Sequence, residues 1–337
     1  MTLDELLKST ARSLYLSARI LPRGMRKTFY CGYLICRAAD TVADTALIDS
    51  HKRARLIKHY LKMIETQDAA LLAEFKAAIP AEAKIYPAEK TLLDNLDLCI
   101  KEFNALSAPH KKLILDVAGA VCRAMEWDLS YFPAEDCGLL KAVPGEAETI
   151  RYCEDMGGQP GVFWAKLLLN GKEDKEFLEN AKKIGMALQI TNILRDTADD
   201  IKIGRCYLPF GDLSANGLMP QDLLEKKSYK KFRPVVYKWV GWGVDNILAA
   251  PAFIAKIPRY RFFARAAVIW PVLWSLDTML LLANSRNLLD ASQKYKIPRK
   301  TIYLTMLASP FYCFSNSLCE LLIRKKAAKV KEIIPLS

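Results

Sequence analysis

Apolar residues in this chain return at three- and four-residue intervals. LLKSTARSLYLSARIL (6–21), KTLLDNLDLCIKEFNAL (90–106) and FLENAKKIGMALQITNILRD (177–196) all carry the pattern. That period places the apolar positions on one face of an α-helix. Alternating patterns of strand type are scarce. Gly and Pro gather at the expected breaks: Pro22-Arg23-Gly24, Pro80, Pro144-Gly145, Pro209-Phe210-Gly211 and Pro251. No short repeat or low-complexity linker divides the chain. The pattern predicts an all-α fold of about ten or more helices in one compact body.

Composition sharpens this. Hydrophobic residues make up 52% of 337, ample for a large core and too many for disorder. Lys and Arg number 49 against 37 Asp and Glu, a formal charge of +12. Such a balance suits an anionic partner: a phosphate substrate, an anionic membrane surface or nucleic acid. Nine Cys without a CxxC pair, and three His, argue against a thiolate or His-rich zinc site and for a reducing compartment. MTLDELLKSTARS lacks the apolar core of a signal peptide. No apolar run is long and clean enough to predict a membrane span.

The candidate chemistry lies in two segments. CRAADTVADT (36–45) puts Asp40 and Asp44 four residues apart, with Arg37 three before the first. QITNILRDTADDIKIGRCYLP (189–209) repeats the device with Asp196 and Asp200, directly after Arg195. Residues i and i+4 share a helix face, so each pair of carboxylates repels unless a cation intervenes. Mg²⁺ takes oxygen ligands and is commonly held by one or two carboxylates plus substrate phosphates. Two such pairs on facing helices are suited to a diphosphate, with Arg37, Arg195 and Arg205 for its oxygens. A single DxxxD is usually a solvated helix face. Two, each with Arg beside an apolar run, set a helical Mg²⁺-dependent diphosphate enzyme against that plainer reading.

These segments resemble the squalene/phytoene synthase family of head-to-head prenyl transferases. YLICRAADTVAD is similar to its first aspartate-rich motif, and QITNILRDTADDIKIGRCYLP to its second almost throughout. Ala11-Arg12-Ser13-Leu14, Tyr152-Cys153 and MEWDL (125–129) match further family segments. The likeness runs from about residue 9 to 300. It implies a catalytic domain over 1–300, of the isoprenoid-synthase type, around a central apolar cavity. RFFARAAVIWPVLWSLDTMLLLANSRNLL and KYKIPRK resemble the squalene-synthase branch, with Pro271, Thr278 and Asn284 in register. Another core helix would also account for that segment.

The resemblance implies a set of roles. Asp40, Asp44, Asp196 and Asp200 would bind Mg²⁺, with Asp40 and Asp196 also counted as catalytic. Arg12, Ser13, Arg37, Gln189, Asn192, Arg195 and Arg205 would hold the substrate, farnesyl diphosphate. Tyr152, at the family's proton-handling tyrosine, and Tyr33, which lines the same pocket, would be the other two catalytic residues. Two farnesyl diphosphates would give presqualene diphosphate, then squalene by hydride from NADPH. No GxGxxG follows a strand, so NADPH would rely on basic residues: Arg12, Arg37, Arg195 and Lys296.

Departures from the pattern bear on the second half-reaction. Ala11 and Leu14 replace a Ser and an aromatic. Ala267 falls where an aromatic usually stands, with Trp270, Trp274 or Phe263 as substitutes. GGQPG (157–161) replaces AGxVG, and Pro160 removes a helical hydrogen bond, which would kink the pocket wall. A phytoene- or dehydrosqualene-type product without reduction is the alternative. The rival of another class is a non-catalytic scaffold or assembly factor that keeps the fold.

TIYLTMLASPFYCFSNSLCELLIRKKAAKVK (301–331) is apolar, then basic. It predicts either an interfacial membrane helix in a tail over 301–337 or a terminal helix packed on the core. The first would make the protein a peripheral one on the cytoplasmic side of a membrane. EKKSYKKFR (225–233) is basic but belongs to no nucleic-acid module, so a solvated face is expected rather than nucleic-acid binding. A monomer is the expected state.

Overall fold

Helix starts are written locally. Thr2 accepts from the Glu5 N–H while Glu5 Oε2 accepts from the Thr2 N–H at 2.8 Å, closing a capping box on the first helix. Asp49, Asp68, Asp174 and Ser315 cap later helices through their side chains. The computed structural model describes all residues except 46–47, 79–85, 136, 171, 173 and 336–337, and omits the side chains of 12 and 13. The chain is almost wholly helical and groups into two compact units, Met1–Phe132 and Pro133–Ser337.

The first unit holds eight helices among its described residues. They are α1 (Leu3–Thr10), α2 (Arg12–Arg19), α3 (Arg23–Ala43), α4 (Ser50–Thr66), α5 (Ala69–Ala77), α6 (Pro87–Asp94), α7 (Leu96–Asn104) and α8 (Ala108–Tyr131). Its core is the packing of α8 on α3 and α4, through Leu34, Ile35, Ala38, Ile57, Ile114 and Val121. Asp4 ties three helices together. Its two oxygens accept from Tyr30 Oη on α3 at 3.0 Å and Tyr15 Oη on α2 at 3.1 Å.

The second unit is built on α11 (Lys175–Lys202), 28 residues long. Before it come β1 (Lys141–Val143), α9 (Glu146–Cys153), a π-helical turn (Glu154–Gly158) and α10 (Gln159–Leu169). After it come β2 (Arg205–Pro209), α12 (Phe210–Ala215), α13 (Tyr229–Ile247), α14 (Ala250–Lys256), α15 (Phe262–Ala283), α16 (Arg299–Leu307), α17 (Ser309–Phe314) and α18 (Asn316–Lys331). β1 and β2 pair in parallel, with a register shift between Ala142 and Val143. This small sheet is the one element outside the all-α expectation among the described residues.

GGQPG has a packing reason. A Cβ on Gly157 or Gly161 would run into the backbone oxygens of Gly185 and Ala181 on α11. The π-helical turn sits just before Pro160, which lies in the first turn of α10. Proline cannot donate to the carbonyl four residues back and crowds it; the wider turn upstream relieves both conflicts.

α15 is the single described helix long and apolar enough to cross a bilayer, but 78% of its apolar window is buried. It packs against α11, α13, α14 and α18 and forms the core of this unit. Arg265 lies fully buried on it, donating to Ile254 O and Ile257 O, both at 2.7 Å, and to Asn316 Oδ1 at 2.6 Å. One guanidinium thus binds the end of α14 to the start of α18.

Candidate active site

In the first unit the aspartate pair closes α3. Asp40 lies in the last turn and Asp44 is the C-cap, its N–H bonding to Asp40 O at 2.9 Å. Helix C-termini carry partial negative charge and favour cations by about 0.3–1 kcal/mol. Two carboxylates there are placed against that preference. Arg37, one turn back, pairs with Asp40 and also with Glu89 of α6. Burial and Glu89 raise the Asp40 pKa, against the pull of Arg37. Burial alone would lower the Arg37 pKa, but Asp40 and Glu89 outweigh it and keep the guanidinium charged. Tyr33, on the preceding turn, is half-buried, and burial pushes its phenol up to about 12.

In the second unit the other pair ends α11. Gln189, Asn192, Asp196 and Asp200 follow one another at three- and four-residue steps, while Ile190, Ile193, Leu194, Thr197 and Ile201 face the core. Asn192 is exposed; Gln189, Asp196 and Asp200 are half-buried. Arg195 grips Asp196 with two bonds, Nε to Oδ1 at 2.9 Å and Nη2 to Oδ2 at 2.6 Å. The chain then turns at Gly204, whose φ of +83° and close approach to Leu139 O suit no side chain.

β2 carries the next contacts. Arg205 is buried and pairs with Glu135 at 2.8 Å. Tyr207 stacks on Tyr152 of α9, with ring centroids 4.5 Å apart and 27° between planes. Thr149 Oγ1, one turn before Tyr152, donates to Tyr207 O at 2.8 Å. Lys182 of α11 bonds Glu154 at 2.8 Å, tying the π-helical turn beside Tyr152 to the aspartate-bearing helix.

The site residues therefore gather as two sets, each within its own unit. Tyr33, Arg37, Asp40 and Asp44 share the end of α3. Gln189, Asn192, Arg195, Asp196 and Asp200 share one stretch of α11, with Tyr152 and Arg205 held beside it through α9 and β2. Arg12 and Ser13 fall on side chains outside the described residues. Lys296 lies exposed between α15 and α16. Of the substitutes for Ala267, Trp270 and Trp274 are buried and stacked on each other, and Trp270 Nε1 donates to Ser309 Oγ at 2.8 Å. Phe263 is 55% exposed, which leaves it outside the core. Sequence reasoning missed Glu89 and Glu135, the acids that engage Arg37 and Arg205. It also assigned no role to Tyr207, although CYLP was part of the motif.

Both aspartate pairs fit Mg²⁺. Their donors are all oxygen, they sit four residues apart, and they stand at helix ends where negative charge calls for a cation. The described residues hold no cluster of three or more His, Cys, Asp or Glu that could hold a metal ion by itself, so a cation on these pairs would take further oxygens from substrate or water. Of the residues named for NADPH, Arg12 has its side chain outside the described residues. Arg37 and Arg195 are engaged with acids, and Lys296 is exposed.

Comparison with known proteins gives the family. The squalene/phytoene synthase family model matches residues 7–300. The chain is 26% identical to a squalene synthase of Schizosaccharomyces pombe over 62% of this chain and 46% of that protein. It is 32% identical to a 15-cis-phytoene synthase of Enterobacter agglomerans over 35% of this chain and 40% of that one. The chain spans less than half the length of these curated relatives. A solved structure described as TcSQS with the ligand E5700 superposes with a TM-score of 0.75 at 18% identity, covering 98% of both chains. The protein belongs to the squalene/phytoene synthase family, whose members are prenyl transferases that join two prenyl diphosphates head to head.

Proposed function

We propose that the protein condenses two farnesyl diphosphates into presqualene diphosphate, releasing one diphosphate and one proton, and that loss of the second diphosphate with hydride from NADPH then gives squalene. The observation that carries this reading is the repeated device: an aspartate pair with an attendant arginine, ending α3 and ending α11. Asp40 with Asp44, and Asp196 with Asp200, would hold Mg²⁺, and Mg²⁺ when bound supplies charge stabilisation to the departing diphosphate.

The chain's own residues do the rest. Arg37 and Arg195 each lie against an aspartate, and their guanidinium N–H groups are of the type that also donates to phosphate oxygen. Loss of diphosphate leaves an allylic cation, which the double bond of the second farnesyl attacks. Proton loss then closes the cyclopropane, with Tyr152 Oη as the group that takes or relays the proton. The stack on Tyr207 fixes that ring. Tyr33, its phenol pushed up to about 12 by burial, stands one turn before Arg37 on the same helix. Water has to be kept from the cation, which would otherwise become an alcohol.

For the second half-reaction we derive no residue role. Support for squalene over phytoene or dehydrosqualene comes from the segment of α15, where Pro271, Thr278 and Asn284 keep the squalene-synthase spacing. A non-hydrolysable farnesyl diphosphate analogue tests the condensation site. It should raise the melting temperature of the wild-type protein only with Mg²⁺, and the shift should be lost in Asp196→Asn. Equal shifts without Mg²⁺ would move the reading toward a scaffold that has kept the fold.

A further inference from the structure

The last three helices show two different faces. α18 buries Cys319, Ile323, Ala327 and Val330, and packs against α13, α14 and α15. α17 is fixed by Trp270 of α15, which donates to Ser309, and by the stack of Phe314 on Phe262 at 5.4 Å. α16 packs on α15 and α17 and buries none of its side chains. The tail is thus built into the unit, and its other side is left outside.

That outer side is apolar. Of sixteen exposed large apolar side chains among the described residues, seven lie between 303 and 321. Leu307 is 77% and Phe311 70% exposed, with Tyr303, Leu304, Phe314 and Leu321 also out in solvent. They fall at three- and four-residue steps along helices that share α15 as their platform. Scattered apolar residues are ordinary on a protein surface, but this concentration is not.

The charge around it identifies the occupant. Residues 286–337 hold ten Lys and Arg against three Asp and Glu, so 10 − 3 gives +7 of the chain's +12. Arg299 and Lys300 stand exposed at the start of α16, and Arg324 and Lys325 follow the apolar stretch on α18. Aromatic and leucine side chains flanked by basic ones match the boundary of an anionic lipid bilayer.

We propose that the outer face of α16–α18 docks on an anionic membrane surface, inserting Leu304, Leu307 and Phe311 into the headgroup boundary while Arg299, Lys300 and Lys325 meet lipid phosphates. The helices lie in the interface and do not span it. This holds whichever prenyl product the enzyme makes.

The test is flotation of the full chain with vesicles of phosphatidylcholine alone or with phosphatidylglycerol added. Wild type should float with the anionic vesicles and weaken as salt is raised. Leu307→Asp with Phe311→Asp should lower partitioning about tenfold or more, with melting temperature and prenyl diphosphate turnover in detergent unchanged. Should that pair unfold, Leu304→Ser with Leu307→Ser replaces it, with the same direction expected. Arg299→Gln with Lys300→Gln should weaken binding only to the anionic vesicles, by about fivefold for each charge. Wild type that floats with neither vesicle, or a folded apolar variant that floats equally, overturns the proposal. So does a wild-type dimer in sedimentation equilibrium that the apolar substitutions convert to a monomer without vesicle binding, which would assign the face to a second copy of the chain.

Discussion

Tyr152 and Tyr207 lie face to face, 4.5 Å between ring centroids, although 55 positions separate them in the chain. One ring comes from α9 and the other from the strand that follows the aspartates of α11. The stack therefore couples the residue assigned to proton handling to the segment that carries Asp196 and Asp200. Such aromatic pairs contribute about 0.5–1.5 kcal/mol beyond area burial and fix orientation as well. Tyr207→Phe should keep kcat near wild type because the ring remains. Tyr207→Ala should lower kcat about tenfold or more, with KM little changed, because Tyr152 loses its seat. Steady-state kinetics of folded variants decide it; equal loss in both would show that the hydroxyl, not the stack, matters.

Glu89 should govern how Arg37 is shared. With Glu89→Gln, Arg37 turns its full charge on Asp40 and competes better with a cation for that carboxylate. The Mg²⁺ concentration for half-maximal activity should rise about threefold or more. A Mg²⁺ titration that does not move would remove Glu89 from the account.

Gly185 should tolerate no side chain. A Cβ there meets the Gly157 carbonyl oxygen, which is backbone and cannot swing aside. Gly185→Ala should destabilise by about 1–3 kcal/mol, the usual cost of forcing extra atoms into a packed interface. Urea unfolding gives the number, and a loss below about 0.5 kcal/mol would contradict the close packing of the π-helical turn on α11.

Arg265→Met should also destabilise, by about 2–4 kcal/mol, since it leaves Ile254 O, Ile257 O and Asn316 without their buried donor. Pulse proteolysis of this variant should report early loss of α18.

The cysteines offer a chemical check. Cys137 is the single exposed one of nine. Burial pushes Cys36 and Cys206 up to about 12, so both remain thiols at neutral pH. Only the thiolate is nucleophilic, so iodoacetamide on the native protein should modify Cys137 alone. Mass spectrometry showing rapid labelling of Cys36 would mean that the end of α3 is more open than described.

Much of this was readable from the chain, for local reasons. The apolar period over 177–196 becomes the inner face of α11, and the two DxxxD spacings place each aspartate pair on one helix end. Pro160 foretold a disturbed helix, though not that a π-helical turn upstream would absorb it. What escaped depends on residues far apart in sequence. Glu89 reaches Arg37 across 52 positions, and Glu135 reaches Arg205 across 70. β1 is three residues long, too short for any alternating pattern. The tail's two faces needed its packing on α15 to be known before the outward residues could be separated from the inward ones.

The most direct test of the central claim is a product assay with purified protein, farnesyl diphosphate and Mg²⁺, with and without NADPH, read by mass spectrometry. The account predicts presqualene diphosphate without NADPH and squalene with it. Dehydrosqualene or presqualene diphosphate in both conditions would keep the condensation and remove the reduction. No turnover of farnesyl or geranylgeranyl diphosphate, where a known synthase works in parallel, would contradict it.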